Sequence, residues 1–306
     1  MTASFEGRVA IVTGAGGGLG RSHALALAAR GARVVVNDLG ASRDGTGGSS
    51  AAAEAVVEEI RAAGGEGMAN GANITSEADI QAMVDAAMTK WGRIDILVNN
   101  AGILRDKTFS KMTMDDFRTV VEVHLMGSAI CTKAVWDIMR AQNYGRVVMT
   151  TSPSGLFGNF GQANYASAKL GLVGLMNTLC IEGQKNNIRV NCLSPGARTR
   201  MTEGLASDAI MDLCTVESVS AGLLMLVAED APTRLILSAV AGGYAVNRIF
   251  ESKGIYLTPD RQTPEAIAAE MGRMMETDGQ HEVMQGNDQS EPFVRQAAAA
   301  LGVSLG

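Results

Sequence analysis

Tyr165 and Lys169 stand four residues apart, and Ser152 lies thirteen residues before Tyr165. Positions i and i+4 share one face of a helix, so the phenol and the ammonium can enter one pocket. A phenol titrates at about 10 and is a poor base at neutral pH. A cation held close favours the phenolate and lowers that value. A tyrosine tuned in this way can take a proton from an alcohol or return one to a ketone oxygen. Ser152, just beyond the apolar run Val147–Met149, can hydrogen-bond the same oxygen. By itself the Tyr-x-x-x-Lys spacing also fits a half-buried tyrosine beside a solvated lysine, so the elements that would position these residues decide the matter.

The chain starts with the pieces of a dinucleotide site. Arg8–Val12 reads as a buried parallel strand and leads into Thr13-Gly14-Ala15-Gly16-Gly17-Gly18-Leu19-Gly20, then a helix over His23–Arg30. Gly14, Gly18 and Gly20 let the backbone turn tightly and approach a pyrophosphate, and the helix N-terminus offers free N–H groups. A second strand, Arg33–Asn37, ends at Asp38. A carboxylate there accepts hydrogen bonds from ribose hydroxyls and repels a 2′-phosphate, and Gly17 supplies no compensating base, so the expected cofactor is NAD rather than NADP. An Asp38 that only caps the next turn is the structural alternative. The polar loop Gly40–Ser50 is longer than an ordinary connection and reads equally as a flap beside the adenosine or as surface slack. A helix over Ser76–Trp91, capped by Ser76, precedes a strand over Ile94–Val98 and then Asn99-Asn100-Ala101-Gly102.

The TGxxxGxG turn, the Asn-Asn-Ala-Gly segment and the Ser152, Tyr165, Lys169 set together resemble the short-chain dehydrogenase/reductase family. That resemblance implies an α/β fold: a Rossmann-type, doubly wound, seven-stranded parallel sheet flanked by helices, completed by strands over Arg146–Thr150, Arg189–Leu193 and Leu235–Val240. It implies Ser152, Tyr165 and Lys169 as catalytic residues and no metal. For the cofactor it implies contacts from Gly14, Gly18, Leu19 and Gly20, from Asp38, from Asn73 and Ile74 beside the adenine, and from Asn100, Ala101 and Gly102. Tyr165 and Lys169 would reach the nicotinamide ribose, and Pro195, Gly196, Ala197 and Thr199 would meet the nicotinamide and phosphate. The sequence departs from the family at two places. Asn73 replaces the usual Asp, and His124 stands where the family has an Asn that helps hold a proton-relay water; a lone His in an apolar helix is also an ordinary structural residue.

Several phrases, among them VVVNDLG, VNNAGILRDKTFSKM, VHLMGS and GNFGQANYASAKLGLVGL, are similar to one branch, the (3R)-hydroxyacyl-CoA dehydrogenases carried by type 2 multifunctional enzymes. This implies oxidation of a (3R)-hydroxyacyl-CoA to the 3-ketoacyl-CoA, with Arg105, Lys107 and Lys111 as candidates for the CoA phosphates. Oxidation of a hydroxysteroid or other secondary alcohol, and a non-catalytic NAD-sensing role, are the alternatives. The segment Arg200–Thr215, with its scattered Met, Leu and Ile, reads as a short lid over an apolar ligand. The stripe Ala166, Ala168, Gly171, Gly174 suits close helix packing, and the family's use of this helix implies a homodimer or homotetramer.

Composition sets limits on the rest. With 306 residues, 46% hydrophobic, the chain can bury one large core, so residues 1–243 are expected to form the NAD-binding domain. Residues 244–306 are expected to be a helical extension packed on that domain or on a neighbouring subunit, with a helix running from Thr263 to about Glu276 and a loose stretch over Gly279–Glu291. A net charge of -6 without a dense basic run speaks against nucleic acid. Cys131, Cys180, Cys192 and Cys214 lack metal-ligand spacing and are expected as reduced thiols. There is no N-terminal basic–apolar signal and no apolar run suited to span a bilayer, so the expected setting is the cytoplasm, away from membranes.

Overall fold

The computed structural model describes residues 4–305 apart from 43, 47, 48, 200, 203, 205 and 206. In the middle of the sheet, apolar runs rich in β-branched residues make strands that are buried on both faces. The strands are β1 Val9–Thr13, β2 Arg33–Asn37, β3 Glu66–Asn70, β4 Ile96–Asn99, β5 Gly145–Thr150, β6 Ile188–Gly196 and β7 Ile236–Val240, followed by β8 Gly243–Asn247. They lie in the order β3-β2-β1-β4-β5-β6-β7-β8. Every registered pair from β3 to β7 is parallel. The sheet thus has eight strands where seven were expected. The extra one follows β7 after Ala241-Gly242, a connection so short that it only permits an antiparallel hairpin. Ala241 and Gly242 both adopt positive φ, 49° and 77°, as such a turn requires.

Helices cover both faces, as parallel strands demand. On one side α1 Gly18–Ala28, α2 Ala51–Ala62 and α9 Val216–Leu226 press Leu27, Val57, Ile60, Val219 and Leu223 onto Val12, Val34 and Val98. On the other, α3 Glu77–Trp91, α5 Gly127–Gln142 and α7 Ala163–Gly183 press Ile80, Met83, Val135, Met139, Leu172 and Met176 onto Ile11, Leu97, Val147 and Val190. The N-cap expected at Ser76 is made: its Oγ accepts the Asp79 amide at 3.3 Å.

The segment that carries His124, expected as an apolar helix, has three parts: α4 Met114–Val121, a single π-helical turn Glu122–Met126, and α5. The wide turn carries His124. Two short helices, α6 Pro153–Phe157 and α8 Asp208–Met211, complete this part. Part of the presumed lid, residues 200, 203, 205 and 206, lies outside the described residues.

The chain divides within β8 into two compact units, 1–246 and 247–306. In the second, β9 Phe250–Glu251 pairs antiparallel with β10 His281–Glu282. The helix expected to run to Glu276 is interrupted at Glu270, giving α10 Pro264–Ala269 and α11 Met271–Met274; Gly272 in the second piece is a weak helix former. The stretch expected to be loose contains β10 and the start of α12 Gly286–Leu301, which opens with a capping box between Gln285 and Asp288.

Candidate active site and dinucleotide cleft

In this sheet β1 and β4 are neighbours while their chain connections run to opposite sides, which opens a crevice beyond the C-terminal ends of the strands. A cleft of about 360 Å³ lies there, lined by Gly14, Gly18, Leu19, Gly20, Asp38, Asn73, Ile74, Asn100, Ala101, Gly102 and Thr199 among others. These are eleven of the residues expected at the cofactor. Tyr165, Lys169, Pro195, Gly196 and Ala197 do not line it. Pro195 and Gly196 are engaged in register with Ala239 and Val240, and the Ala197 carbonyl accepts Thr202 Oγ1 at 2.8 Å.

The glycine turn is close-packed. A Cβ on Gly14, at φ +61°, would stand 2.7 Å from Ala101 Cα, and one on Gly20 would stand 2.1 Å from the Gly14 carbonyl oxygen. Thr13 and Asn100 lock the turn to the end of β4. Thr13 Oγ1 accepts the Asn100 and Ala101 amides at 3.0 and 3.1 Å, and Asn100 Nδ2 donates to the Thr13 and Gly14 carbonyls at 2.9 and 3.1 Å. No side chain caps α1, so its first-turn N–H groups face the cleft unclaimed. This bare helix end beneath a glycine turn fits a pyrophosphate.

Asp38 follows β2. Its Oδ2 accepts the Gly16 amide at 2.7 Å and its Oδ1 accepts the Gly40 amide at 2.6 Å. Each carboxylate oxygen has a second lone pair, so acceptors remain for ribose hydroxyls. A Cβ on Gly16 would lie 2.8 Å from that carboxylate, leaving no room for a basic side chain. Asn73 is less free: its Oδ1 accepts Thr75 N and Oγ1 at 3.1 and 3.0 Å, a local turn.

Ser152, Tyr165 and Lys169 are delivered by three elements. Ser152 is buried directly after β5 and is the N-cap of α6, accepting the Ser154 amide at 3.2 Å. Tyr165 and Lys169 sit in the first turns of α7. Helix α6 packs so tightly on α7 that a Cβ on Gly155 would be 2.8 Å from Lys169 Cβ, and Thr151 Oγ1 donates to the Lys169 carbonyl at 2.7 Å. Lys169 Nζ lies 5.5 Å from the Tyr165 ring centroid and donates to the Thr150 carbonyl at 2.5 Å.

The electrostatics differ from the expectation that Lys169 lowers the Tyr165 pKa. Burial pushes the phenol above its usual 10, Asp106 pushes the same way, and only Ser152 acts against them. The physical reason is that Lys169 is itself buried, which pulls its pKa down to about 7, so it is not a standing cation at neutral pH. Instead it is poised to gain and lose a proton there.

His124 is buried beside this pair. Its ring meets Tyr165 edge-on, centroids 5.1 Å apart and planes at 87°. Nε2 lies 2.8 Å from the Ile103 carbonyl oxygen, while Nδ1 has no partner among the described residues. Burial and the nearby Lys169 hold its pKa well below 6.5, so the imidazole is neutral. Gly102 makes room for it: a Cβ there would be 2.2 Å from His124 Cε1.

Two supporting residues escape sequence reading. Buried Asn164 accepts the Tyr165 amide at 2.8 Å and donates to the Arg105 carbonyl at 3.1 Å. Gln162 Nε2 donates to Asp106 Oδ2 at 2.7 Å, and its Oε1 accepts Ser154 Oγ at 2.8 Å, clasping the loop after Gly102 to the start of α7. Their only signal is proximity to Tyr165 in the chain. Of the residues suggested for CoA phosphates, Lys107 and Arg105 are already turned to Asp116, at 2.9 and 3.6 Å; Lys111 is exposed. The stripe on α7 serves several neighbours: Ala168 is in the core, Gly171 lies under Leu125, and Gly174 opens on free space. All four cysteines are free thiols.

The glycine cradle beside a Ser, Tyr and Lys that converge from β5 and α7 is the arrangement of an alcohol-oxidising or ketone-reducing dehydrogenase, and the chain belongs to the short-chain dehydrogenase family, whose model matches residues 8–209. It is an oxidoreductase acting on CH–OH groups, and the cofactor class of the family is the nicotinamide dinucleotides. Among curated relatives, peroxisomal multifunctional enzyme type 2 of Mus musculus is 47% identical over 266 residues, covering 86% of this chain and 36% of that protein. The structure of the full-length enzyme of that name from Drosophila melanogaster superposes with a TM-score of 0.81 at 34% identity, covering 97% of this chain and 50% of that one. A 7α-hydroxysteroid dehydrogenase complexed with NADH and 7-oxo glycochenodeoxycholic acid superposes with a TM-score of 0.71 at 31% identity, covering 80% and 96%. The chain spans between 29% and 59% of the length of these peroxisomal relatives. Those names overturn the expected cytoplasmic setting: the relatives are peroxisomal enzymes, and compartment is not written in a sequence's charge or hydropathy.

Proposed function

We propose that this chain is an NAD-dependent dehydrogenase that oxidises a (3R)-hydroxyacyl-CoA to the 3-ketoacyl-CoA. The observation that carries the chemistry is the convergence of Ser152, Tyr165 and Lys169 next to the glycine-lined cleft. The observation that favours NAD over NADP is Asp38, which lines that cleft with no base beside it among the described residues. The acyl-CoA substrate rests on the likeness to the multifunctional enzymes.

In this reading the backbone of the glycine turn and the first turn of α1 hold the pyrophosphate, and Asp38 takes the adenosine ribose hydroxyls. Asn73, Ile74, Asn100, Ala101, Gly102 and Thr199 line the remaining groove. Pro195, Gly196 and Ala197 border the nicotinamide end. Bound NAD supplies the two-electron acceptor for the hydrogen on the substrate's carbinol carbon. Ser152 Oγ orients the substrate hydroxyl, and Tyr165 accepts its proton as the carbonyl forms. Because burial holds the phenol pKa up, Tyr165 gives up its own proton as it takes the substrate's. Lys169, whose amine burial holds near pH 7, is the adjacent acceptor, its Nζ 5.5 Å from the Tyr165 ring centroid. The neutral His124 ring braces Tyr165 edge-on and keeps its phenol directed at the substrate. Every residue in this account lies in the first unit.

The test is to mix the protein with NAD and racemic 3-hydroxyacyl-CoA substrates and follow NADH absorbance. Consumption that stops when the 3R half is exhausted supports the reading. Turnover of the 3S half, or of hydroxysteroids alone, overturns the substrate assignment.

A further inference from the structure

Asp106 is a carboxylate held at the edge of the catalytic site with no cation of its own. It lies between β4 and α4, flanked in the chain by Arg105 and Lys107. Both of those bases are drawn away to Asp116 on α4, at 3.6 and 2.9 Å, and Asp106 forms no ion pair among the described residues. The partner that its Oδ2 does have is neutral, Gln162 Nε2 at 2.7 Å.

The surrounding contacts fix where that carboxylate stands. Gln162 is the N-cap of α7, three residues before Tyr165, and its Oε1 accepts Ser154 Oγ, two residues past Ser152. Asn164 Oδ1 accepts the Tyr165 amide while its Nδ2 donates to the Arg105 carbonyl, next to Asp106. On the other side of Asp106, the Lys107 amide donates to the Gly161 carbonyl at 2.9 Å. The peptide that carries Asp106 is thus tied on both sides to the approach to α7. Its charge acts on the phenol and helps raise the Tyr165 pKa.

A carboxylate that acts on the phenol also acts on whatever the phenol holds. In a 3-hydroxyacyl group the carbonyl carbon, C1, is two bonds from the carbinol carbon that Tyr165 serves. In a free 3-hydroxy acid C1 carries a negative charge, and in a thioester it is neutral. Near a protein surface, two like charges about 10 Å apart weaken binding by about tenfold. Arg105 and Lys107, the bases nearest in the chain, are held by Asp116 and do not offset this repulsion.

We propose that Asp106 is a specificity-determining residue, whose unpaired carboxylate rejects free 3-hydroxy acids and leaves the site to substrates with a neutral thioester at C1. This rests on the acyl reading above. It adds that the choice between acid and thioester is made at the reacting end of the acyl group, by one side chain, apart from any contact to the CoA moiety. The selection works by repulsion of the wrong substrate.

The experiment follows NADH formation at neutral pH from NAD with (3R)-hydroxyhexanoyl-CoA and with free (3R)-hydroxyhexanoate. It uses the full chain, Asp106→Asn and Asp106→Glu, each at about 10 mM and about 1 M salt. Asparagine keeps an oxygen that accepts Gln162 Nε2, so the tie to α7 survives, and glutamate keeps the charge. Expected at low salt is a free-acid kcat/KM about tenfold higher in D106N than in wild type. The ratio of free-acid to thioester kcat/KM rises by as much, and D106E rejects the acid as wild type does. Between these salt concentrations the Debye length falls from about 30 Å to about 3 Å, so the gap between wild type and D106N closes. A general loosening of the site would strike both substrates and would not follow the salt. Equal free-acid kcat/KM in wild type and D106N, free-acid turnover in neither, D106E admitting the acid as D106N does, or a gap that persists at high salt overturns the proposal. Wild-type protein that oxidises no thioester overturns the acyl reading, and the role of Asp106 with it.

Discussion

Lys169 gives a direct physical handle on how the site is built. The residue is 3% exposed, and burial pulls its ammonium from 10.5 to about 7. A lysine whose folded pKa is lowered is protonated in the unfolded chain over a range where the folded chain has let the proton go. Stability therefore rises with pH from about 7 to about 10.5, and this group contributes no slope outside that window. The full window corresponds to at most about 5 kcal/mol. Lys169→Met keeps most of the side-chain volume and removes the titration. It also leaves the Thr150 carbonyl without its donor, an opposing loss of about 1 kcal/mol that does not depend on pH. In urea unfolding from about pH 6.5 to about pH 9.5, the wild type should gain about 3 kcal/mol relative to K169M. Parallel curves for the two proteins would refute the reasoning, because Lys169 would then titrate as a solvated lysine and could not relay a proton near neutral pH.

Other perturbations follow from the same geometry. Asp38→Ala removes the acceptor for ribose hydroxyls and the repulsion of a 2′-phosphate; isothermal titration should find NAD about tenfold weaker and the preference over NADP reduced by at least as much. Unchanged preference would show that discrimination lies elsewhere. Gly102→Ala drives a methyl into His124, so we expect about 1–3 kcal/mol lost in denaturant unfolding and a lower kcat, because the ring that braces Tyr165 is displaced. Wild-type stability and turnover in G102A would mean that His124 moves without consequence.

Much of the fold was legible because its signals are local. The strands over Val9–Thr13 and Arg33–Asn37 are short apolar runs that end in glycine or polar residues. Each strand expected with stated bounds starts within two residues of the observed one, and Arg189–Leu193 alone stops short at its end, three residues before Gly196. The family was legible for a different reason: Gly14 and Gly20 stand where backbone must approach backbone, and Gly18 adopts a left-handed φ of 51°. The misses are tertiary. The eighth strand depends on β7 offering an edge, which the weakly patterned Gly243–Asn247 does not announce. The π-helical turn at Glu122–Met126 has the same apolar periodicity as the α-helices around it. The direction of the Tyr165 shift needed the burial of Lys169, and a lysine's burial cannot be read from its spacing. Arg105 was read as free for a phosphate, whereas Asp116 and the Asp44 carbonyl claim it from elements distant in the chain.

The most direct test of the account is Tyr165→Phe. The substitution removes one oxygen and keeps the ring that packs against His124, so the fold and the cleft should be untouched. The account predicts that turnover with NAD falls by roughly 10²–10⁴-fold while NAD affinity stays within about twofold of wild type. Activity retained in Y165F would contradict the assignment of Tyr165 as the group that accepts the substrate's proton.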